Sequence, residues 1–177
     1  MAKLININER RLQGVLSQLH SVLDIPMGRA SPVQVYHPSF RDFVLDNLKC
    51  SDPQFWVDEK QAHQMLAKSC IELMSTSLRK DICGLRAPGV LVADIASTRI
   101  EQCLPPEVRY ACLYWIQHLQ RGNAQLHDNH QVYQFLQAHL LHWLEALGWI
   151  GKTSEGILAV NSLEAFILVS LLYNISS

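Results

Sequence analysis

The residues of this chain best suited to chemistry are its histidines. There are eight, and four of them, His127, His130, His139 and His142, crowd into one short stretch. His139 and His142 stand three apart, so a helix would put them on one face. That is the start of a metal site, but zinc wants three or four nitrogen, sulfur or carboxylate ligands. No H-E-x-x-H arrangement is present and no Cys lies nearby. The pattern therefore reads as packed or half-exposed imidazoles, with His139 on the apolar face and His142 at its edge. Gly151-Lys152-Thr153 imitates the end of a phosphate loop. The full pattern needs Gly where Ala146 stands, and a strand before it. Here a helix precedes it, so a helix–helix turn is expected. The chain has no G-x-S-x-G, no Cys–His signature and no recognisable carboxylate pair. Asp58-Glu59 and Glu72 read as solvated helix surface. The residues alone thus imply no catalytic residue, no metal and no cofactor.

The elements that would carry these groups centre on Pro105 to Gly148. Pro106 suits a first helical position, where its missing N–H has no partner to lose. Val108, Ala111, Cys112, Trp115 and Leu119 then draw one stripe down a helix. Gly122 is expected to end it in the left-handed conformation. Asp128 with Gln131 forms a capping-box pattern. Val132, Phe135, Leu136, Leu140, Trp143, Leu144 and Leu147 repeat the stripe until Gly148. Two helices with a short connection become antiparallel neighbours. Each buried aromatic between them would contribute roughly 2–3 kcal/mol through area alone. Leu113, Tyr114 and Ile116 lie off the main stripe, so the first helix is apolar nearly all round. It is either central in its domain or covered by a partner.

Size and composition set the class. The 177 residues are 49% hydrophobic and 18% charged, which is globular rather than disordered. Fifteen basic and 16 acidic residues form no cationic stripe, so nucleic acid is not an expected partner. The five Cys are odd in number with no C-x-x-C pair, and read as small core residues in a reducing compartment. The start, MAKLININERR, is not a secretory leader. The most apolar run, Ala165 to Tyr173, is too short to span a bilayer. A cytoplasmic protein with no membrane partner is the expectation, and the Asn174-Ile175-Ser176 acceptor pattern then has no meaning.

Taken in order, Ala2 to Ile7 forms a short helix or its end. Asn8 caps a helix with Leu12, Val15, Leu16, Leu19, Val22 and Leu23 on one face, stopping before Pro26. Met27 to Pro32 is a loop, and Val33 to Tyr36 a short strand or wing. Ser39 with Asp42 is a capping-box pattern for a helix burying Phe40, Phe43 and Val44. Residues 49–53 read as a linker. Asp58 with Gln61 caps a long helix through Ala62, Met65, Leu66, Ser69, Cys70, Leu73, Met74, Ser77 and Leu78, which Gly84 ends. Pro88-Gly89 makes a turn, and a short helix falls near Ile100 to Leu104. Thr153 or Ser154 caps a last helix with Ile157, Val160, Ile167, Leu168 and Leu171 inward. No period of 20–50 residues recurs.

Six stretches carry a family resemblance. They are LHSVLDIP (Leu19 to Pro26), HPSFRDFVLD (His37 to Asp46), FWVDEKQAH (Phe55 to His63), DICGLRAPG (Asp81 to Gly89), EQCLPPEVRYACLYWIQHLQ (Glu101 to Gln120) and FLQAHLLHWLEALGWIGKTSEG (Phe135 to Gly156). In this order they resemble the fungal NACHT NTPases of the STAND class, the vegetative (heterokaryon) incompatibility type that often carries WD repeats. The resemblance implies the end of a winged helix and then a helical domain, lying between the nucleotide-binding module and the repeats. It covers most of the chain up to about Phe166. The Walker A loop, the Walker B acids and the sensor arginine have no counterpart here. The resemblance also singles out His37, in VYHPSFRDF, which stands where related STAND proteins place a winged-helix His that touches the β-phosphate of bound ADP. Pro38 and Ser39 replace the usual acidic neighbour.

The expected fold class is all-α: a partial winged helix over residues 1–48 with its first helix missing, then a helical bundle over 49–177. The expected role is a non-catalytic regulatory and coupling segment of a NACHT-type signalling NTPase, a fragment or remnant rather than an enzyme. Its partners would be the NACHT module and WD repeats of the intact family, or a second copy, since apolar faces such as Leu12, Leu16 and Leu19 would be left bare. The alternatives are a free-standing helical protein–protein interaction module and a His-dependent metal-binding protein.

Overall fold

The computed structural model describes residues 8–26, 33–50, 52–53, 55–85, 91–123 and 130–175. Among these, seven α-helices and one 3-10 turn accompany a single two-stranded sheet, so the chain is mostly helical. It divides into two compact units, Met1–Ala62 and His63–Ser177.

In the first unit, Asn8 Oδ1 accepts the Arg10 N–H at 2.9 Å and starts α1, Glu9–Gln18. The expected continuation through Val22 and Leu23 does not occur. The Leu19 N–H turns back to the Leu16 carbonyl at 3.0 Å, closing the helix. Leu23 then enters a strand, β1 (Leu23–Asp24), which pairs antiparallel with β2 (Gln34–Val35). β1 is absent from the sequence reading because Val22 and Leu23 also fit the helical stripe. The register sets Leu23 opposite Val35 and Asp24 opposite Gln34. α2 follows over Pro38–Leu45. The loops 27–32 and the segment Ala2 to Ile7 lie outside the described residues. Among the described residues of this unit only Cys50 is buried.

α3, Glu59–Ser77, starts as expected, with the Gln61 N–H donating to Asp58 Oδ1 at 3.0 Å. The division between the units falls inside it, after Ala62. Its inward face is Ala67, Cys70, Ile71 and Met74, while Met65 faces water at 61% exposure. Cys70, Met74 and Leu78 of the expected stripe are buried, and Ala67 and Ile71 complete the inner face in place of Met65. A 3-10 turn (Val92–Asp94) and α4 (Ser97–Cys103) lead to α5, Pro106–Arg121.

α5 is the core of the second unit. Val108, Ala111, Cys112, Trp115, Ile116 and Leu119 are all buried, because both α6 (His130–Trp149) and α7 (Thr153–Ile175) pack on it. Of the three residues off the main stripe this accounts for Ile116, whereas Leu113 is half-buried and Tyr114 is 42% exposed. Trp115 stands edge-on to Phe135 and to Trp143, with ring centres 5.5 and 5.6 Å away. Trp143 is fully buried, and its Nε1–H donates to the Cys112 carbonyl at 2.9 Å. The end of α5 differs from expectation. Gly122 is right-handed (φ −71°), and Asn123 takes the left-handed turn (φ 46°). Gly122 is needed for space instead: a Cβ there would lie 2.8 Å from Gln64 Cγ. Gln64 Nε2 donates to the Gly122 carbonyl at 2.8 Å.

α6 also runs past its expected stop at Gly148. Its end is a Schellman motif on Gly151 (φ 68°). The Lys152 N–H donates to the Leu147 carbonyl at 2.8 Å and the Gly151 N–H to the Gly148 carbonyl at 3.1 Å. The capping-box residue Asp128 lies outside the described residues. α7 packs through Gly156 and Leu163, where a Cβ on Gly156 would come within 2.7 Å of Leu147 Cδ1. Ile157, Val160 and Leu168, expected inward, are exposed, and the Leu171 side chain lies outside the described ones. A helix so apolar offers two candidate inner faces, and the close approach at Gly156 selects between them.

Candidate functional site

His37 is the N-cap of α2, in place of the expected Ser39. Pro38 explains the change. It prefers the first helical position and holds the residue before it extended, and His37 has φ −138° and ψ 133°. Its Nδ1 accepts the Ser39 N–H at 3.2 Å and lies 2.7 Å from Ser39 Oγ. With Nδ1 accepting, a neutral ring carries its proton on Nε2. That exposed Nε2–H is a donor for any acceptor that approaches the helix start.

The clustered histidines assemble only in part. His139 and His142 Nδ1 atoms lie 3.3 Å apart, and the His139 ring stacks on Phe135 at 13°. His127 lies outside the described residues, as does the His130 side chain. Among the described residues no three His, Cys, Asp or Glu side chains are grouped to hold a metal ion. His139 and Phe135 border a groove of about 380 Å³ between α3 and α6, together with Glu72, Ser75 and Thr76. The Ser75 and Thr76 hydroxyls donate to their own helix, at Ile71 and Glu72, while Gln131 and Gln134 add amide groups to the groove wall.

The sequence reading misses the most structured polar group of the second unit. His118, 7% exposed, links α5 to α3: its Nδ1 is 2.7 Å from His63 Nδ1, and its Nε2 is 2.8 Å from the Tyr110 hydroxyl. Each contact needs one donor and one acceptor. A neutral His118 meets both, whichever tautomer it holds. Burial, then the neighbouring His63 and Arg121, push its pKa down to about 4. His118 faces inward beside Leu119, so the only sequence signal was a polar residue on an apolar face. Its partner lies 55 positions away. Gly151, by contrast, serves the Schellman turn, and the Gly151-Lys152-Thr153 sequence starts α7 without a preceding strand.

The chain is similar to the vegetative incompatibility protein HET-E-1 of Podospora anserina. The two are 31% identical over 160 aligned residues, covering 78% of this chain and 11% of that protein. The chain thus spans about a tenth of that relative's length. This supports the resemblance to the fungal incompatibility proteins. No family model matches the chain, and no solved structure matches it.

What the described surface offers chemically is apolar contact. On α7, Ile157, Leu158, Leu168 and Val169 are more than half exposed, and on α6 Leu141 is 76% exposed. In the first unit Leu48 and Phe55 are exposed, as are Val15 and Phe43. Among the described residues no helix is long and apolar enough to cross a membrane.

Proposed function

We propose that this chain is a non-catalytic regulatory and coupling segment of a NACHT-type signalling protein of the fungal incompatibility class. The observation that carries the reading is the similarity to HET-E-1 along 78% of the chain. Two features support it. The one buried polar side chain among the described residues of the second unit, His118, is spent inside it in the Tyr110–His118–His63 chain. The outer faces present aliphatic and aromatic side chains suited to docking against neighbouring protein. In this reading residues 1–48 are the end of a winged helix, and His37 offers Nε2–H to the ADP phosphate of an adjoining nucleotide module. Coupling requires an element with two arrangements that both sites bias. The WD repeats implied by the resemblance are the second site.

The test is made in HET-E-1. Deleting the segment that matches this chain should leave nucleotide binding intact and abolish the incompatibility response, and inserting this chain should restore it. A deletion that leaves the response unchanged overturns the reading. In the same protein, alanine at the position matching His37 should loosen ADP binding, and unchanged ADP affinity removes that role.

The exposed face of α7 favours a second reading, a helical protein–protein interaction module that acts by itself. Restoration of the response by this chain supplied as a separate polypeptide, but not by Leu158→Glu with Leu168→Glu, would favour it over coupling.

A further inference from the structure

α7 has two opposite sides. Gly156 and Leu163 face the core of the second unit. Along one flank Ser162 Oγ accepts the Gln120 Nε2–H of α5 at 2.7 Å. A helix turns through roughly 100° per residue, so the side opposite Leu163 is made by Leu158, Asn161, Ala165 and Leu168. Ile157 and Val169 stand at its borders. All six are exposed, Leu158 by 67% and Leu168 by 55%. From Leu158 to Leu168 the steps are three, four and three residues, the alternation of a seam that meets another helix. The seam is also matched end for end about Leu163. Leu158 and Leu168 stand five residues to either side of it, Ile157 and Val169 six, and Asn161 and Ala165 two.

We propose that this face binds the same face of a second copy, with the two α7 helices antiparallel and the two-fold axis level with Leu163. A contact of this symmetry sets residue i on j and j on i. Leu158 of each copy then meets Leu168 of the other, and Ile157 meets Val169. Asn161 and Ala165 meet near the axis, where their small side chains let the helices come close. Asn161 sets the register, because a buried amide without a partner is costly. About this axis the two Asn161 side chains reach each other, whereas a slip of one heptad sets each against a leucine. At the flank Glu164 of one copy faces Ser162 of the other. The Ser162 oxygen accepts from Gln120, so its own hydrogen is left for a carboxylate. Antiparallel alignment also opposes the two helix macrodipoles. The contact removes on the order of 1,000 Å² from water over both copies, about the least a specific interface needs. The dimer is therefore reversible, and its symmetry stops it at two copies. This partner rests on the interaction-module reading of the α7 face. The coupling reading stands without it.

The experiment makes Leu158→Cys and Leu168→Cys in separate full chains, the second isotopically labelled. The two are reduced, mixed and oxidised with copper–phenanthroline. The expected product is a disulfide dimer of mixed mass, formed several-fold faster than a dimer of either chain alone. Two copies of position 158 would lie about 15 Å apart, too far for a disulfide, whereas 158 directly faces 168. The wild-type chain, with its own five free thiols, gives the background. Sedimentation equilibrium of the wild type needs no variant and should fit monomer and dimer with no larger species. Asn161→Asp sets two carboxylates across the axis and should raise the dissociation constant about tenfold or more. Equal cross-linking in each chain alone overturns the proposal. So does a monomer at every concentration, or a mass that grows beyond two copies. None of these outcomes bears on the HET-E-1 deletion, which tests coupling separately.

Discussion

At the residue scale, His118 makes a definite pH prediction. Its pKa is lowered from 6.5 to about 4 in the folded chain, so the unfolded state binds the extra proton between those values. Stability is then full above about pH 6.5 and is lost as the pH falls toward 4. The loss should be of order 1–2 kcal/mol after allowance for water reaching the network. Denaturant midpoints followed from pH 7 to 4.5 should fall, and His118→Gln should flatten most of that slope while lowering the midpoint at pH 7. An unchanged slope in the variant would mean other groups carry it. A second pair of variants separates packing from hydrogen bonding. Trp115 and Trp143 are both fully buried, but only Trp143 has a partner for its Nε1–H, the Cys112 carbonyl. Trp143→Phe should cost about 1–2 kcal/mol more than Trp115→Phe, because it also gives up that bond. Equal losses in equilibrium unfolding would sink the distinction.

At the element scale, the least regular segment is the best anchored. Glu145 receives Asp81 and Ile82 N–H groups and the Trp149 Nε1–H at 3.3 Å. Glu145→Ala leaves those donors without their carboxylate and should cost about 1–3 kcal/mol. Hydrogen exchange at Asp81 and Ile82 should speed up well before the rest of α6 responds. Uniform loss of protection across α6 would mean the glutamate holds the whole helix rather than the turn. The sequence showed where helices lie but not how they end. The α5 stripe was legible because five apolar residues repeat at helical spacing and every one is buried. The ends were misplaced where a tertiary contact decides them: Gly122 serves Gln64 rather than a left-handed turn, and Gly151 rather than Gly148 closes α6. The cap at His37 was legible only through Pro38. The His63–His118 contact was not legible, since nothing local links positions 55 apart.

At the scale of the whole molecule, the outer face of α7 governs behaviour in solution. Ile157, Leu158, Leu168 and Val169 are exposed on a helix with one acidic residue, Glu164, among them. The isolated chain should therefore self-associate. Light scattering should give a mass that rises with concentration, and Leu158→Glu with Leu168→Glu should return it to the monomer value. A monomer in the wild type at every concentration would show that the face is tolerated bare. The all-helical class was legible from composition and periodicity. Which side of α7 faces in was not, because both sides are apolar and only the approach of Gly156 to Leu147 tells them apart.

The placement of the tryptophans makes the chain its own spectroscope. Trp115 and Trp143 sit edge-on, 5.6 Å apart and sealed from solvent in the second unit, whereas Trp56 of the first unit is 38% exposed. The buried pair should emit at the blue edge and give an excitonic couplet in circular dichroism, silent to acrylamide. Trp56 should emit to the red and be quenched. Trp149 of the second unit is half-buried and would blur the contrast, so it is the Trp149→Phe chain whose two colours would report whether the units melt together or one after the other.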